Sequence, residues 1–334
     1  MSSDVRVGVV GLGYWGPNLA RNLSAQPGCE LRWLCDASDE ARERWSRSFP
    51  GVRAAADLDE LLADDELDAV VLATHVPSHA ELAIRVLEAG KHCFVEKPLA
   101  QSVAEAEAVV AAAQESGRVL MVGHLLEYHP GVQKLKEIAA SGELGEIFYV
   151  YSNRLNLGKL RADENALWSL GAHDVSVVLH LVGEEPTELR ASGESYMRPG
   201  VEDVVFGYMR FPSGVAAHLH LSWLDPHKER RFTVVGSKRM ATFDDMEIEQ
   251  KVTVYDKGFD QDFSSYGEYI ARSGDTWSPR ISNEEPLRIE CRHFLDCVRE
   301  GREPRSGGQS GLRVVRVLEA LEHSLRESAS AAAV

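Results

Sequence analysis

Two stretches of the chain hold residue types that could do chemistry on a dinucleotide and its substrate. The first is GLGYWG, with Gly11, Gly13 and Gly16 in GxGxxG spacing, after the apolar run VRVGVVG and before a helical pattern. Glycines at these places permit a tight turn, close approach of backbone to a pyrophosphate, and close packing of helix on strand, with the helix N-terminus facing the phosphates. Asp36 stands 20 residues beyond Gly16, at the end of the next apolar run. A carboxylate there accepts hydrogen bonds from the adenosine ribose hydroxyls. It also repels a 2′-phosphate, so NAD is expected over NADP, with Arg42 and Arg44 on the following helix as the cations that oppose this. Tyr14 and Trp15, inside the loop, are counted with the cofactor site.

The second stretch is HCFVEKPLA, residues 92–100. An apolar strand ends in Glu96 and Lys97, and Pro98 removes a backbone donor and disfavours helix at the residue before it. In an open parallel sheet, ligands bind outside the carboxyl ends of the strands. Lys97 is therefore either a group held over a ligand or half of a surface Glu–Lys pair, and these residues alone do not decide. Thr74, His75 and His79, in ATHVPSHAEL after another strand, are expected at the nicotinamide end of the same site, although His79 also suits the first turn of a helix.

The elements that position these residues follow from periodicity. Through residue 123, apolar runs alternate with helical patterns at about 15–24, 37–49, 78–89 and 102–116. That rhythm reads as βαβ units and a parallel sheet, hence an α/β Rossmann domain over 1–123. Beyond it, a helix near GVQKLKEIAAS and another around ALWSLGAHDVSVVLHLVG accompany strand-like runs with hairpin signals such as PSG. This predicts an α+β domain over 124–334 with a large, mostly antiparallel open sheet. Residues 257–286 read as a long loop, two helices are expected at about 287–300 and 308–323, and the tail SASAAAV as frayed.

The formal net charge of −16 argues against a nucleic-acid partner. No run reaches the roughly 18 apolar residues of a membrane span. The start MSSDVRVGVVGLG has no secretory pattern, so the expected location is cytoplasmic. Five scattered cysteines, without CxxC or Cys/His ligand spacing, predict buried thiols and no metal site. Against this acidic background, YSNRLNLGKLRADENALW gathers Arg154, Lys159 and Arg161 with Asn156 and Asn165. Guanidinium and ammonium groups suit phosphate or carboxylate, although an exposed basic loop has the same composition. GHLLEYHP adds Glu127 and Tyr128 as pocket candidates.

Taken together, GLGYWGPNLARNL, ATHVPSHAELAIRVLEAGKHCFVEKPLA and GAHDVSVVLHL resemble the Gfo/Idh/MocA oxidoreductases along the whole chain. The resemblance implies that Lys97 of the EKP signature lies between nicotinamide and substrate hydroxyl. It also implies a catalytic His173, which by itself could be a helix-capping or core histidine. The family's Asp-x-Gly-x-His pattern reads Ser169, Leu170, Gly171, Ala172, His173 here, so its aspartate is absent, with Asp174 as a partial substitute. The stretches around Arg154 are similar to the branch that oxidises a UDP-N-acetylhexosamine, such as UDP-N-acetylglucosamine, at C3′ to a 3-keto sugar for later amination. The alternatives are a dehydrogenase of a free polyol or sugar of the inositol type, a reductase of a nucleotide-linked deoxysugar ketone, and a non-catalytic NAD-binding regulator. An uncovered sheet face would pair copies into a homodimer or homotetramer.

Overall fold

The computed structural model describes residues 4–158, 160, 164–262 and 268–331. Its contacts group into two compact units, residues 1–128 with 284–316, and residues 129–283 with 317–334. The first unit thus takes in a segment near the C-terminus that the sequence reading leaves with the second domain.

In the first unit the strands are β1 (Val5–Val10), β2 (Cys29–Cys35), β3 (Arg53–Ala55), β4 (Ala69–Leu72), β5 (His92–Glu96) and β6 (Leu120–Gly123). They form one parallel sheet in the order β3-β2-β1-β4-β5-β6. The helices are α1 (Gly16–Ser24), α2 (Asp39–Ser46), α3 (Leu58–Leu62), α4 (His79–Glu88) and α5 (Val103–Ser116). Strands β4 and β6 are buried at every residue, as expected when both faces are covered. Caps explain the helix limits. The Ser102 hydroxyl accepts from Glu105 N, and α5 stops at Gly117 in the left-handed region, φ +64°. The chain reverses its strand order between β1 and β4, the place where such sheets bind ligands.

The second unit holds α6 (Pro130–Ala140), α7 (Ala172–Val182) and β7 (Ile147–Leu157), β8 (Glu188–Glu194), β9 (Val204–Arg210), β10 (Ala216–Ser222), β11 (Leu224–Gly236), β12 (Met240–Asp244), β13 (Val252–Asp262) and β14 (Glu268–Trp277). The sheet order is β14-β13-β12-β11-β7-β10-β9-β8, antiparallel except for the β7–β10 pair. Alternation sets the two faces. Val150, Ser152, Arg154, Leu219 and Met209 are buried, whereas Tyr149, His218 and Phe206 point the other way and are exposed.

Two expectations fail here. Residues 257–262 and 268–277 are not a loop but the outer half of the β13–β14 ribbon. Beyond Val254 that ribbon is solvated on both sides, so its pairing shows no apolar alternation in sequence. Last come α8 (Pro286–Glu300) and α9 (Gly308–Ala331). Helix α9 runs through Ala331, into the tail expected to fray, since Leu325 is buried and the Ser324 hydroxyl accepts from Ala191 N.

Candidate active site

The glycine loop leaves β1 with Gly11 at φ +92°, where a Cβ would lie 2.5 Å from Ala73 O. A Cβ on Gly16 would lie 1.8 Å from Gly11 O, so the first turn of α1 can sit on the loop only without a side chain. Gly13 differs: nothing lies within 4 Å of the position its Cβ would take, which leaves open space beside the backbone at the head of α1. The Asp36 carboxylate accepts from Leu12 N at 2.6 Å and from Ser38 N at 2.8 Å, and so braces the loop from the end of β2. Arg42 is held beside it, donating to Asp36 O at 2.5 Å and paired with Asp39. This donor and acceptor set fits an adenosine ribose with a pyrophosphate over Gly13. Tyr14 is 89% exposed. Trp15 is half-buried, and its indole lies beside the Glu96 carboxylate and favours the charged form.

At that end the Lys97–Pro98 peptide is cis. The Glu96 carboxylate packs over Gly123, where a Cβ would come within 3.1 Å of it. Its Oε2 accepts weakly from Lys97 N at 3.3 Å, and its Oε1 is shielded from solvent with no hydrogen-bond partner among the described residues. Burial pushes the Glu96 carboxyl up to about 7, against the pull of Lys97 and the two donors. Lys97 itself is half-buried.

His79 is a brace rather than a lining group. It is buried, with Nδ1 2.8 Å from Pro98 O and Nε2 3.1 Å from Thr74 O. Burial lowers its pKa, so the neutral ring donates to one carbonyl and meets the other less well. It thereby clips the β4 end to the turn that carries Lys97. Thr74 is half-buried and its hydroxyl accepts from Ser78 Oγ, while His75 is exposed ahead of a short 3₁₀ turn.

One residue the sequence reading missed stands nearby. His124 follows β6, the strand beside β5, and is buried. Neither ring nitrogen has a partner among the described residues. Burial, then the charge of Lys97, drives its pKa down to about 3, so the ring is a neutral donor and acceptor close to the lysine. The available signal was position: a polar residue at the carboxyl end of the strand next to HCFVE.

The substrate candidates fare differently from the cofactor set. Tyr128 is 1% exposed, its hydroxyl 2.8 Å from Ser306 Oγ and its ring under the Arg305 guanidinium. It is a core residue of the first unit, and Glu127 beside it is buried too. In the second unit Arg154 is also buried. Its Nε donates to both Asp174 oxygens at 2.9 and 3.0 Å, and Nη2 lies 2.8 Å from Oδ1. That pair commits the Nε and Nη2 donors of Arg154 inside the fold. Asn165 donates to Glu202 at 2.7 Å and caps Trp168 N with its oxygen. Asn156 is half-buried on β7. Ser169 is buried in the π turn Leu167–Gly171, and half-buried His173 follows as the second residue of α7. Lys159 and Arg161 lie outside the described residues. Arg154, Asn165 and Tyr128, expected to face substrate, are thus committed to internal bonds.

Residues 5–124 match the family described as "Oxidoreductase family, NAD-binding Rossmann fold", and residues 132–242 match the "GFO/IDH/MocA C-terminal domain". The UDP-N-acetylglucosamine 3-dehydrogenase of Acidithiobacillus ferrooxidans is 31% identical over 243 residues, 72% of this chain and 74% of that one. Its solved structure superposes with a TM-score of 0.82 at 26% identity, covering 97% and 98% of the two chains. The NAD-dependent scyllo-inositol 2-dehydrogenase of Bacillus subtilis is 26% identical over 91% of this chain and 89% of its own. GenD2 from gentamicin A biosynthesis, solved in complex with NAD, has a TM-score of 0.82 at 28% identity over 98% and 96% of the chains.

Proposed function

Because the chain belongs to the Gfo/Idh/MocA family of NAD-binding oxidoreductases, we propose that it oxidises a secondary hydroxyl, C3′ of a nucleotide-linked amino sugar such as UDP-N-acetylglucosamine. The observation that carries the reaction type is Lys97 at the carboxyl end of β5, in the same unit as the open space over Gly13 and the braced Asp36 carboxylate. Bound NAD supplies the hydride acceptor. Asp36 receives the adenosine ribose hydroxyls, and Gly13 lets the backbone approach the pyrophosphate. Lys97 takes the hydroxyl proton at Nζ, which requires an unprotonated fraction that a free lysine near pKa 10.4 lacks at neutral pH. His173 is the second candidate for proton transfer. The 3-keto product suits later amination.

The likeness to the UDP-N-acetylglucosamine enzyme supports this substrate, and Arg154 no longer does. That loss favours one second reading, a free polyol of the inositol type, which needs no diphosphate ligand. We also propose that copies pair through the open sheet face, where the Tyr151–His218 and Phe206–His220 rings stack across strands and Phe206 is 49% exposed. Five unpaired thiols fit a reducing, cytoplasmic location. No helix among the described residues is long and apolar enough to cross a membrane.

The test is turnover of NAD with UDP-N-acetylglucosamine, its uronic acid and myo-inositol, for the parent and Lys97→Ala. We expect the UDP-sugar to be favoured and the variant to keep less than about a hundredth of kcat, the usual loss of a positioned base. Preference for myo-inositol would move the assignment to the second reading. Retention of more than about a tenth of turnover would remove Lys97 from the proton step.

A further inference from the structure

Behind Lys97 lies a buried acid that the proposed reaction does not use. Glu290 sits on α8, which packs against α1, β1 and the turn Leu125–Tyr128 in the first unit. It is 0% exposed, and neither carboxylate oxygen has a hydrogen-bond partner among the described residues. The titratable groups that face it are Glu96 from β5, Glu127 and Tyr128 from the turn, and Cys291 on its own helix. None is a cation. Glu96 presents a second unpartnered, shielded oxygen, Oε1, in the same interior.

Two ionised carboxylates so placed would repel across a medium that screens them poorly. One proton resolves this, and it also supplies the donor that three shielded acceptor oxygens lack. The proton resides on Glu290, because Glu96 has the Lys97 charge, the Lys97 N–H at 3.3 Å and the Trp15 indole beside it, all of which favour its charged form. Burial and the two neighbouring acids push Glu290 well above the ordinary range of a carboxyl, in the same direction.

We infer that Glu290 is a positioning residue: it holds the proton that the two buried acids share, biases Glu96 toward its ionised form, and through Glu96 sets the titration of Lys97. This rests on the role proposed above for Lys97 and sets a limit on it, since an ionised Glu96 favours the ammonium over the free base that the proton step needs. Without the Glu290 proton, Glu96 would take one up, and Lys97 would lose its anionic neighbour. The ammonium would then deprotonate at lower pH.

The experiment uses the full chain with NAD and needs no sugar substrate. Glutamate carrying a ¹³C carboxyl is incorporated, and infrared spectra are taken at pH 8. The parent should show a protonated-carboxyl band, which disappears in Glu290→Gln. In parallel, acetylation of Lys97 by acetic anhydride is followed against pH by mass spectrometry. Glu290→Leu should lower the Lys97 midpoint by about one pH unit, an order-of-magnitude figure for loss of a close charge. Glu290→Gln, which retains a donor and no charge, should titrate as the parent does. Absence of the band in the parent, or its survival in Glu290→Gln, overturns the proton. A Lys97 midpoint unmoved in Glu290→Leu overturns the coupling. If Glu290→Leu does not fold, Glu290→Met is read in its place: a Lys97 midpoint lowered by about a unit upholds the coupling, and an unmoved one overturns it. Failure of every sugar in the turnover assay would count against the proposed function and leave these readings as they stand.

Discussion

Arg154 is the residue whose assignment changes most, and its replacement by methionine separates a structural from a substrate-binding role. Its guanidinium makes three contacts of 2.8–3.0 Å with Asp174, and the two side chains are only 9% and 1% exposed. Arg154→Met fills similar volume but leaves a buried carboxylate unpaired. Burial already pushes the Asp174 carboxyl up despite the pair, so without Arg154 the site must take up a proton or hold a naked charge. Breaking such a buried pair costs about 3–5 kcal/mol. For a unit of this size that is roughly 6–20 °C in Tm. The double variant Arg154→Met, Asp174→Leu removes both charges and should recover most of the loss, because apolar replacement of a whole buried pair is close to neutral. The assays are calorimetric unfolding of the parent, both single variants and the double variant, which isolates the coupling, together with titration by UDP. A loss below about 1 kcal/mol in the single variant, the size of a surface pair, would refute the structural role. So would a UDP affinity that falls tenfold while Tm holds.

Asp36→Ala should weaken NAD and raise the NADP-to-NAD ratio of kcat/KM by at least about tenfold, since removing the carboxylate leaves Arg42 as the nearest charge; an unchanged ratio shows that Asp36 does not meet the ribose. Gly13→Ala should fold with a Tm close to the parent's, as the added methyl meets nothing within 4 Å, yet weaken NAD binding by fluorescence titration; normal binding would place the pyrophosphate elsewhere. Glu96→Gln addresses pH. A carboxyl raised to about 7 leaves stability whole below the ordinary value of 4.5 and erodes it as pH climbs through 7, so the variant's stability should be flatter over that window. Parallel curves for parent and variant between pH 5 and 8 would contradict the burial of that charge.

The cofactor half was legible because its chemistry is local. A GxGxxG turn, the strand before it and an acid at the end of the next strand are neighbours in space by the rules of the βαβ unit, so spacing alone brings Gly11, Gly16 and Asp36 together. Lys97 at a strand end was readable on the same ground. The substrate half was not, because an arginine's type tells nothing about which face of its strand it occupies or what waits there. Arg154 points inward to Asp174 from a helix twenty residues on, and Asn165 closes the start of that helical segment. Composition marked them as anion ligands, and packing made them internal. The β13–β14 ribbon escaped for a related reason, since a strand pair solvated on both faces leaves no apolar period.

The sequence by itself therefore determined the doubly wound parallel sheet, the dinucleotide loop with its acid, and the lysine at the end of β5, all features set by patterns within a few tens of residues. Only the tertiary structure decided that His79 is a clip, that Tyr128 and Arg154 belong to the interior, and that His124 and Glu290 stand buried near Lys97 and Glu96. Those outcomes depend on residues up to nearly two hundred positions apart, and burial, which sets whether a polar group binds, braces or holds a proton, is a property of the packed chain.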